Sequence, residues 1–394
     1  MDAAILREKA DQAQALLGET DLGCWLSFAR ESAMRPDPGI ELVAGSDVTW
    51  DSAFIVAPHA RVAIVGRYDA DSVHELGVFG EVMTYDEGIG ESLVSVLDRL
   101  APASIGLNYS TDDANCDGLT HGLRLRLDDL LTGTAHLDRL TSAAPLVSLL
   151  RSRKSAAEIE RIRAAVAITE QVIAELGALI VPGVSEAELA GLVHESFARH
   201  GVEPAWPAEG CPIVNSGPAS SIGHARPSTA LRIEPGHVVH IDLGVRLAGY
   251  CSDLQRDWYV RRPGEDGPPE ELARAFAASR SAIEAAQAAL RPGALGHEVD
   301  AAARSSLMGA GYPEYMHATG HQLGRAVHDG GALAGPRWAR YGATPDQPVQ
   351  EGSVFTLELG VETSAGYVGL EEDVVVTADG AVDLASPQRE LMVV

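Results

Sequence analysis

The sequence predicts two domains, an α/β domain over residues 1–150 and an α+β domain over residues 151–394. Three observations predict this division. The first 150 residues alternate short apolar runs with helical patterns, a new amphipathic helix opens after Arg151–Ser155, and a segment of the second domain repeats itself. With 394 residues, 46% of them hydrophobic, the chain is long enough to bury two cores of ordinary size.

The apolar runs of the first domain are short and predict β-strands. They are Cys24–Phe28, Ala53–Ala57, Val62–Val65 and Ile105–Leu107. Between the last two lies Gly90–Leu100, which has the spacing of an amphipathic helix. This alternation is typical of an α/β domain, and nothing in it resembles a phosphate loop or a dinucleotide-binding fingerprint.

The second domain opens with a helix and contains an internal repeat. Ser155 followed by Glu158 is a capping-box pattern at the start of a long amphipathic helix. Val181–Gly201 resembles Arg291–Gly311, and each segment contains a Pro-Gly turn followed by a helix that ends in glycine. A strand hairpin follows each copy. The repeat predicts two related α+β halves around one cleft; the alternative is chance similarity between alanine-rich helices.

Charge and cysteine content exclude several classes of partner. The formal net charge of −26 repels nucleic acid and anionic membranes, so we expect neither as a partner, although a general compositional bias would also produce this charge. The four cysteines are scattered, which predicts a reduced, cytoplasmic protein. The N-terminus lacks the apolar run of a signal peptide, and no run approaches the roughly 18 apolar residues of a membrane span.

Two pairs of acidic residues are embedded in apolar hairpins of the second domain. If the first hairpin turns between Leu247 and Ala248, Asp242 lies opposite Asp253. If the second turns at Ala365, Glu358 lies opposite Glu372. Like charges across a ladder destabilise it, so the pairs predict bound cations. The alternative is that these are solvated acids on outer strand faces.

Four carboxylates carry about −4, which two divalent ions balance. Oxygen ligands favour Mn, Mg, Ca, Co or Zn, and a histidine adds a preference for transition metals. The segment Tyr315–Gly331 supplies three histidines among glycines, namely His317, His321 and His328. It does not contain the HExxH spacing of a single-zinc helix site. His224, in a loop rich in Gly, Ser and Pro, is a candidate substrate contact.

The order Asp242, Asp253, His321, Glu358, Glu372 resembles the five-ligand site of the pita-bread metallopeptidases. That family contains methionine aminopeptidases, aminopeptidase P and prolidases. The matching motifs are I-D-L-G, C-S-D-x-x-R, H-x-x-x-H-x-L-G-x-x-x-H-D, T-L-E-L-G and E-E-D-x-V-V-V-T. The resemblance implies a pita-bread fold for residues 151–394 and a creatinase-like fold for residues 1–150. Methionine aminopeptidases usually lack the latter domain.

The resemblance also implies roles for these residues around two divalent metal ions, with Mn expected first and Co or Zn as alternatives. Asp253 and Glu372 would bridge the metals, Asp242 would complete one shell, and His321 with Glu358 the other. A hydroxide between the metals would attack the amide, and Glu358 would pass its proton to the leaving nitrogen. The matching histidines are His224 and His328, which would contact the scissile amide, and His317 in the cleft.

The function implied by the resemblance is hydrolysis of Xaa-Pro dipeptides by a cytoplasmic homodimer. Alternatives are removal of a residue before proline from longer peptides, as by aminopeptidase P, and hydrolysis of a small non-peptide amide. Outside this class stands a non-catalytic pita-bread module that binds proteins. Such modules typically lose their metal ligands, whereas this chain keeps all five.

Two positions depart from the family pattern. Leu359 replaces the proline of the usual Glu-Pro-Gly, and Leu370 is taken as the position of an arginine that lies two residues before the last ligand. In prolidases that arginine resembles a docking point for the substrate carboxylate. Arg325, or the segment Arg30–Asp37 of a dimer partner, is a hypothetical substitute.

Overall fold

The computed structural model describes residues 2–223 and 225–394, and these form two compact units that meet between Arg151 and Ser152. The sequence placed this boundary one residue earlier. His224, a candidate substrate contact, lies outside the described residues. Among the described helices, none has the length and apolar character that crossing a bilayer requires.

The first unit is built around a six-stranded mixed sheet in the order β4-β3-β2-β1-β5-β6. Every residue of β1 and β2 is buried, because core side chains cover both faces of the sheet. Strands buried on both faces have continuous apolar sequences, which is why these strands could be predicted from the sequence. The elements are α1 Ala3–Leu17, β1 Cys24–Ala29, β2 Ser52–Ala57, β3 Ala60–Gly66, α2 Ala70–Glu75, β4 Glu81–Tyr85, α3 Gly90–Leu100, β5 Ile105–Leu107, α4 His121–Leu131, β6 Leu140–Ser142 and α5 Ala144–Ser152.

The second unit confirms the predicted capping box and gives the repeat a structural basis. Its helices are α6 Ala156–Leu176, α7 Glu186–His200, α8 Glu270–Ala289 and α9 Gly296–Gly309. The Ser155 hydroxyl accepts from the N–H of Glu158, and the Glu158 carboxylate accepts from the N–H of Ser155. The two repeated helices, α7 and α9, begin with the same hydrogen bond, from the N–H of the residue before the first turn to a glutamate three residues later. The N–H of Ser185 donates to Glu188 at 2.8 Å, and that of Leu295 donates to Glu298 at 2.9 Å.

Two sheets complete the second unit. The larger runs β13-β14-β12-β9-β8, with β15 added to β14 and β16 to β12, and the smaller runs β11-β10-β7. The strands are β7 Glu203–Pro204, β8 Ile213–Ser216, β9 Val238–Leu243, β10 Val245–Leu247, β11 Tyr250–Cys251, β12 Leu254–Tyr259, β13 Val354–Thr363, β14 Gly366–Thr377, β15 Gly380–Asp383 and β16 Met392–Val393. The fold class predicted from the sequence is confirmed.

The long hairpin of β13 and β14 separates an apolar face from a polar one. Leu357, Leu359 and Leu370 belong to the core that also contains the buried faces of α8 and α9. Full burial of a leucine stabilises the fold by about 1.5–3 kcal/mol, so this face fixes the orientation of both strands. Because side chains alternate along a strand, Glu358 and Glu371 must point the other way. The hairpin therefore presents Glu358 and Glu371 to the side opposite the helices.

All four cysteines lie in the described part of the chain and are buried thiols. Cys24 and Cys116 belong to the first unit, and Cys211 and Cys251 to the second. Burial raises the pKa of Cys24 and of Cys211 to about 12. At neutral pH both therefore remain protonated thiols.

Candidate metal centre

Three side chains from distant parts of the second unit converge on one point. Asp253, just before β12, His321, in the loop after α9, and Glu371, on β14, each offer a ligand atom within 4.8 Å of the other two. The His321 Nε2 atom lies 3.9 Å from carboxylate oxygens of Asp253 and Glu371, and also 3.9 Å from the Glu358 Oε1 atom. The structure thus brings together one imidazole and at least three carboxylates. These are the types of ligand that the sequence predicted, although one of the glutamates differs.

The expectation that Glu372 faces Glu358 is wrong. The register pairs Glu358 with Glu371, because Thr363 pairs with Gly366 and leaves a two-residue turn at Ser364 and Ala365. The predicted turn, centred on Ala365, was one residue longer. A slip of one residue moves a side chain to the other face of a sheet.

The carboxylate of Glu372 is held by basic groups on that other face. Its oxygens lie 2.9 Å from an Arg256 guanidinium nitrogen and 2.7 Å from one of Arg280, and one of them accepts the N–H of Gln388 at 3.0 Å. Glu372 is 1% exposed and its charge is already balanced. We therefore assign it a structural role and place Glu371 in the candidate site.

The first hairpin turns later than predicted, but Asp242 and Asp253 still lie on the same face of the sheet. Asp242 pairs with Gln255, and the turn lies at Ala248 and Gly249. Asp253 is two residues from Gln255, so it occupies the same face as Asp242 in a diagonal position. The two aspartates are close enough for each to affect the pKa of the other. They are neighbours rather than a directly opposed pair.

Several carboxylate oxygens in this cluster are buried without a hydrogen-bond partner. They are Oδ1 of Asp242, Oδ1 of Asp253 and Oε1 of Glu371. A buried polar atom without a partner costs about 1–3 kcal/mol, and an uncompensated buried charge costs more. A cation that accepts these oxygens as ligands removes the penalty. The residues present therefore fit a site for hard divalent metal ions with one imidazole ligand.

Burial shifts the pKa values of the cluster in the direction expected when no cation is bound. It raises the pKa of Asp242 to about 8 and that of Glu358 to about 7. Burial, followed by the charges of neighbouring carboxylates, raises the pKa values of Asp253 and Glu371 well above their usual range. Burial lowers the pKa of His321 to about 3, so this imidazole is neutral and able to ligate a metal.

A chain of polar side chains centred on Gln255 supports the carboxylates. The Gln255 amide nitrogen donates to Glu358 at 2.8 Å and to Glu371 at 3.1 Å. The Gln255 amide oxygen lies 2.9 Å from Nε2 of His240, whose Nδ1 atom lies 3.1 Å from the Asn215 side-chain oxygen. Strand periodicity would have found Gln255, because it lies two residues after Asp253 on the same face.

The loop with the histidines is fixed by close packing. A Cβ atom at Gly320 would lie 2.0 Å from the carbonyl oxygen of Thr356, so only glycine allows this approach to β13. Behind the loop, Lys154 forms a buried ion pair with Asp329 at 3.0 Å. The rings of His321 and His328 lie 4.2 Å apart between centroids in an edge-to-face arrangement. Among the candidate residues, His328 is therefore next to a ligand.

One candidate substitute for the family arginine, Arg325, belongs to the second unit. The Arg325 guanidinium stacks over the Tyr250 ring at 5.3 Å, and Arg325 is not among the described residues that line the cavities of the site. Its role as the substitute stays a hypothesis. The segment 30–37 belongs to the first unit, and its proposed role in a dimer stays a hypothesis. With Glu371 as the ligand, the position two residues before it is Gly369 rather than Leu370.

Two cavities adjoin the carboxylates. One of about 260 Å³ contains the ligand cluster together with Trp206 and His328. The other, of about 560 Å³, shares Asp242 and Glu358 with the first and extends past His317. The candidate ligands therefore adjoin a space of the size that small-molecule or short-peptide ligands occupy.

Comparison with known proteins also indicates a metal-dependent peptidase family. Residues 160–378 match the model of metallopeptidase family M24. The chain is 32% identical over 256 residues to a Mycobacterium tuberculosis protein named "Probable dipeptidase PepE", an alignment that covers 64% of this chain and 63% of that relative. It is 30% identical over 278 residues to the Xaa-Pro dipeptidase of Pyrococcus horikoshii, covering 70% of this chain and 74% of that one. The chain thus spans less than two thirds of the length of the mycobacterial relative.

A solved structure matches over nearly the full length of both chains. The dipeptidase PepE of Mycobacterium ulcerans superposes with a TM-score of 0.77 at 27% identity, covering 100% of this chain and 99% of that one. The similarity therefore extends to both units of the fold.

Proposed function

Since this chain belongs to metallopeptidase family M24, we propose that it is a metal-dependent exopeptidase that hydrolyses the amide bond before proline in short peptides. The observation that carries the proposal is the cluster of Asp242, Asp253, His321, Glu358 and Glu371, in which one buried oxygen each of Asp242, Asp253 and Glu371 has no hydrogen-bond partner. Two named relatives, from Pyrococcus furiosus and Pyrococcus horikoshii, are Xaa-Pro dipeptidases, which makes Xaa-Pro dipeptides the first substrates to assay.

The cluster has the composition to hold two divalent ions, with Mn expected first and Co or Zn as alternatives. Asp242, Asp253, His321, Glu358 and Glu371 are the residues that would hold them. Ions bound there would polarise the scissile carbonyl and lower the pKa of a water molecule. Four carboxylates match the charge of two such ions.

The protein's own groups would position the substrate and move the proton. Gln255 fixes the Glu358 carboxylate by a 2.8 Å hydrogen bond, which orients it to receive a proton and to return it to the leaving nitrogen. His328, adjacent to His321, would donate to the scissile amide, and His317 lines the larger cavity where the substrate would extend. His224 stays a predicted substrate contact, and the homodimer stays a prediction.

Two alternatives share this site. Removal of the residue before proline from longer peptides uses the same chemistry, and so does hydrolysis of a small non-peptide amide. A non-catalytic binding module is disfavoured because it needs no buried set of unpartnered carboxylates.

The test is to strip the protein of metal with a chelator and to assay Xaa-Pro dipeptides and tripeptides as each of Mn, Co and Zn is added back. We expect activity to return with metal, together with about two bound ions per chain. Glu358→Gln should lose at least about 100-fold in kcat, whereas Asp379→Asn, a matched loss of an exposed carboxylate in the turn between β14 and β15, should not. Hydrolysis that is insensitive to both the chelator and Glu358→Gln would refute the proposal.

A further inference from the structure

The inference concerns the larger cavity and rests on the proposed function. One wall of this cavity is the polar face of the β13–β14 hairpin, which continues outward from the candidate ligands Glu358 and Glu371. The next pair on this face consists of two glycines, Gly360 and Gly369, which are direct partners in the register. Next to the ligands the wall therefore has no side chains of its own.

The ring of Tyr367 fills the hollow above these glycines. A Cβ atom at Gly369 would lie 2.3 Å from Cε1 of Tyr367, and one at Gly360 would lie 2.5 Å from the Tyr367 hydroxyl. The ring also contacts His240 edge to face, with 5.0 Å between centroids, and its hydroxyl hydrogen-bonds to that of Tyr315. Consequently, a side chain at position 369 has no room, and an aromatic surface forms the floor of the cavity instead.

The polar groups at this floor are already used within the protein. Both ring nitrogens of His240 lie within hydrogen-bonding distance of amide oxygens, those of Asn215 and Gln255. The Gln255 amide nitrogen donates to two carboxylates. No arginine or lysine is among the described residues that line the cavity. A free substrate carboxylate would therefore lose its hydration without gaining a guanidinium or ammonium partner, which is unfavourable.

The mouth of the cavity is acidic. Glu362, directly opposite Tyr367 in the hairpin, is exposed and forms no ion pair with the described residues. It would repel a carboxylate and attract a cation, and the face of Tyr367 also favours cations over anions.

We propose that this cavity accepts a neutral or cationic part of the substrate and rejects a free carboxylate. The preferred substrates are then Xaa-Pro peptides in which proline is followed by an amide bond, with a basic residue favoured after it, rather than free Xaa-Pro dipeptides.

The experiment compares Ala-Pro with Ala-Pro-amide, and Ala-Pro-Lys-amide with Ala-Pro-Glu-amide, on the metal-loaded protein. We expect kcat/KM to be at least about tenfold higher for the first amide than for the acid, and higher for the lysine peptide than for the glutamate peptide. Calorimetric binding of prolinamide and proline provides a readout that does not depend on turnover, and prolinamide should bind more tightly. Equal or better hydrolysis of the free acid would overturn this inference alone, whereas no hydrolysis of any of these peptides would refute the proposed function.

Two variants test the residues named. Glu362→Gln should reduce the preference for lysine over glutamate by about threefold, as expected for one exposed charge, and Asp379→Asn should leave it unchanged. The double variant Tyr367→Gly with Gly369→Arg clears the hollow and adds a guanidinium, so it should shift the acid-to-amide ratio at least about tenfold toward the acid. An unchanged ratio in the folded double variant would contradict the role of Tyr367. If that variant does not fold, the comparison of acid and amide on the original chain decides.

Discussion

Two adjacent glutamates on β14 should respond to the same substitution in opposite ways. Glu371 faces a cluster of carboxylates, and Glu372 faces two guanidinium groups on the other side of the sheet. The variants Glu371→Gln and Glu372→Gln remove the same charge from neighbouring positions of one strand. They therefore serve as matched controls for each other.

For Glu372→Gln we expect a loss of stability. Removing one partner of a buried ion pair costs about 3–5 kcal/mol, because the remaining charges are left buried and uncompensated. Here those charges are Arg256 and Arg280, at 2.9 and 2.7 Å. For a unit as large as residues 152–394, each kcal/mol lowers Tm by roughly 2–4 °C, so the expected fall is of order 10 °C. Metal binding by the protein that remains folded should be retained.

For Glu371→Gln in metal-free protein we expect a gain of stability. Burial raises the pKa of Glu371 first, and the charges of Glu358 and Asp242 raise it further. The substitution removes the group whose ionised form is penalised by burial and by its neighbours, so Tm without metal should rise. Because a ligand is lost, metal should no longer raise Tm, whereas a metal at 100 times its Kd stabilises the original chain by about 2.7 kcal/mol.

The assay is thermal unfolding of both variants with chelator and with saturating Mn, together with the metal content of dialysed protein. Without metal, Tm should rise for Glu371→Gln and fall for Glu372→Gln, and added Mn should raise Tm only for Glu372→Gln. If Glu371→Gln keeps its metal while Glu372→Gln loses it, the register-based assignment is refuted.

Three further predictions concern pH, the buried lysine and the packing of the histidine loop. The pKa values of Asp242 and Glu358 are raised to about 8 and about 7, so the metal-free folded state binds more protons than the unfolded state at neutral pH. The free energy of unfolding in urea should therefore fall as pH rises from about 5 to 8, by up to about 1.4 kcal/mol per pH unit for each group. Saturating Mn should remove this pH dependence. Lys154→Met should lower the free energy of unfolding in urea by about 3–5 kcal/mol, because it removes the cation that lies 3.0 Å from the buried Asp329 carboxylate. A smaller loss in the double variant with Asp329→Leu would identify the ion pair as the cause. Gly320→Ala should cost about 1–3 kcal/mol and weaken metal binding measured by calorimetry, since its Cβ would press on Thr356; unchanged metal affinity would argue against a coupling between this packing and His321.

The sequence predicted the fold class because its signals were local. The strands of the first unit are buried on both faces and so appear as continuous apolar runs, and the helix Gly90–Leu100 has the predicted bounds. The capping box is formed by Ser155 and Glu158, which are three residues apart, so it needs no contact with a distant part of the chain. Such features follow from the chain itself.

The ligand set was less accessible because it depends on turn length. Adjacent glutamates at positions 371 and 372 are equivalent in composition, and only the length of the turn at Ser364 and Ala365 decides which one faces Glu358. An error of one residue selects the wrong glutamate, whereas the two-residue error in the first hairpin moved the turn to Ala248 and Gly249 and left Asp242 on the correct face. Tyr367 was missed for another reason: its ring fills a space left by glycines, and no sequence pattern signals an empty position.

The buried thiols have a practical consequence for measuring how the chain comes apart. Each unit holds two cysteines, and buried thiols do not react with alkylating reagents until the surrounding structure opens. The rate at which Cys24 and Cys116 become labelled therefore reports the opening of residues 2–151, and the rate for Cys211 and Cys251 reports the opening of residues 152–394. Peptide mapping after timed alkylation, with and without Mn, would separate the two rates in the unaltered chain, and the metal should slow only the second.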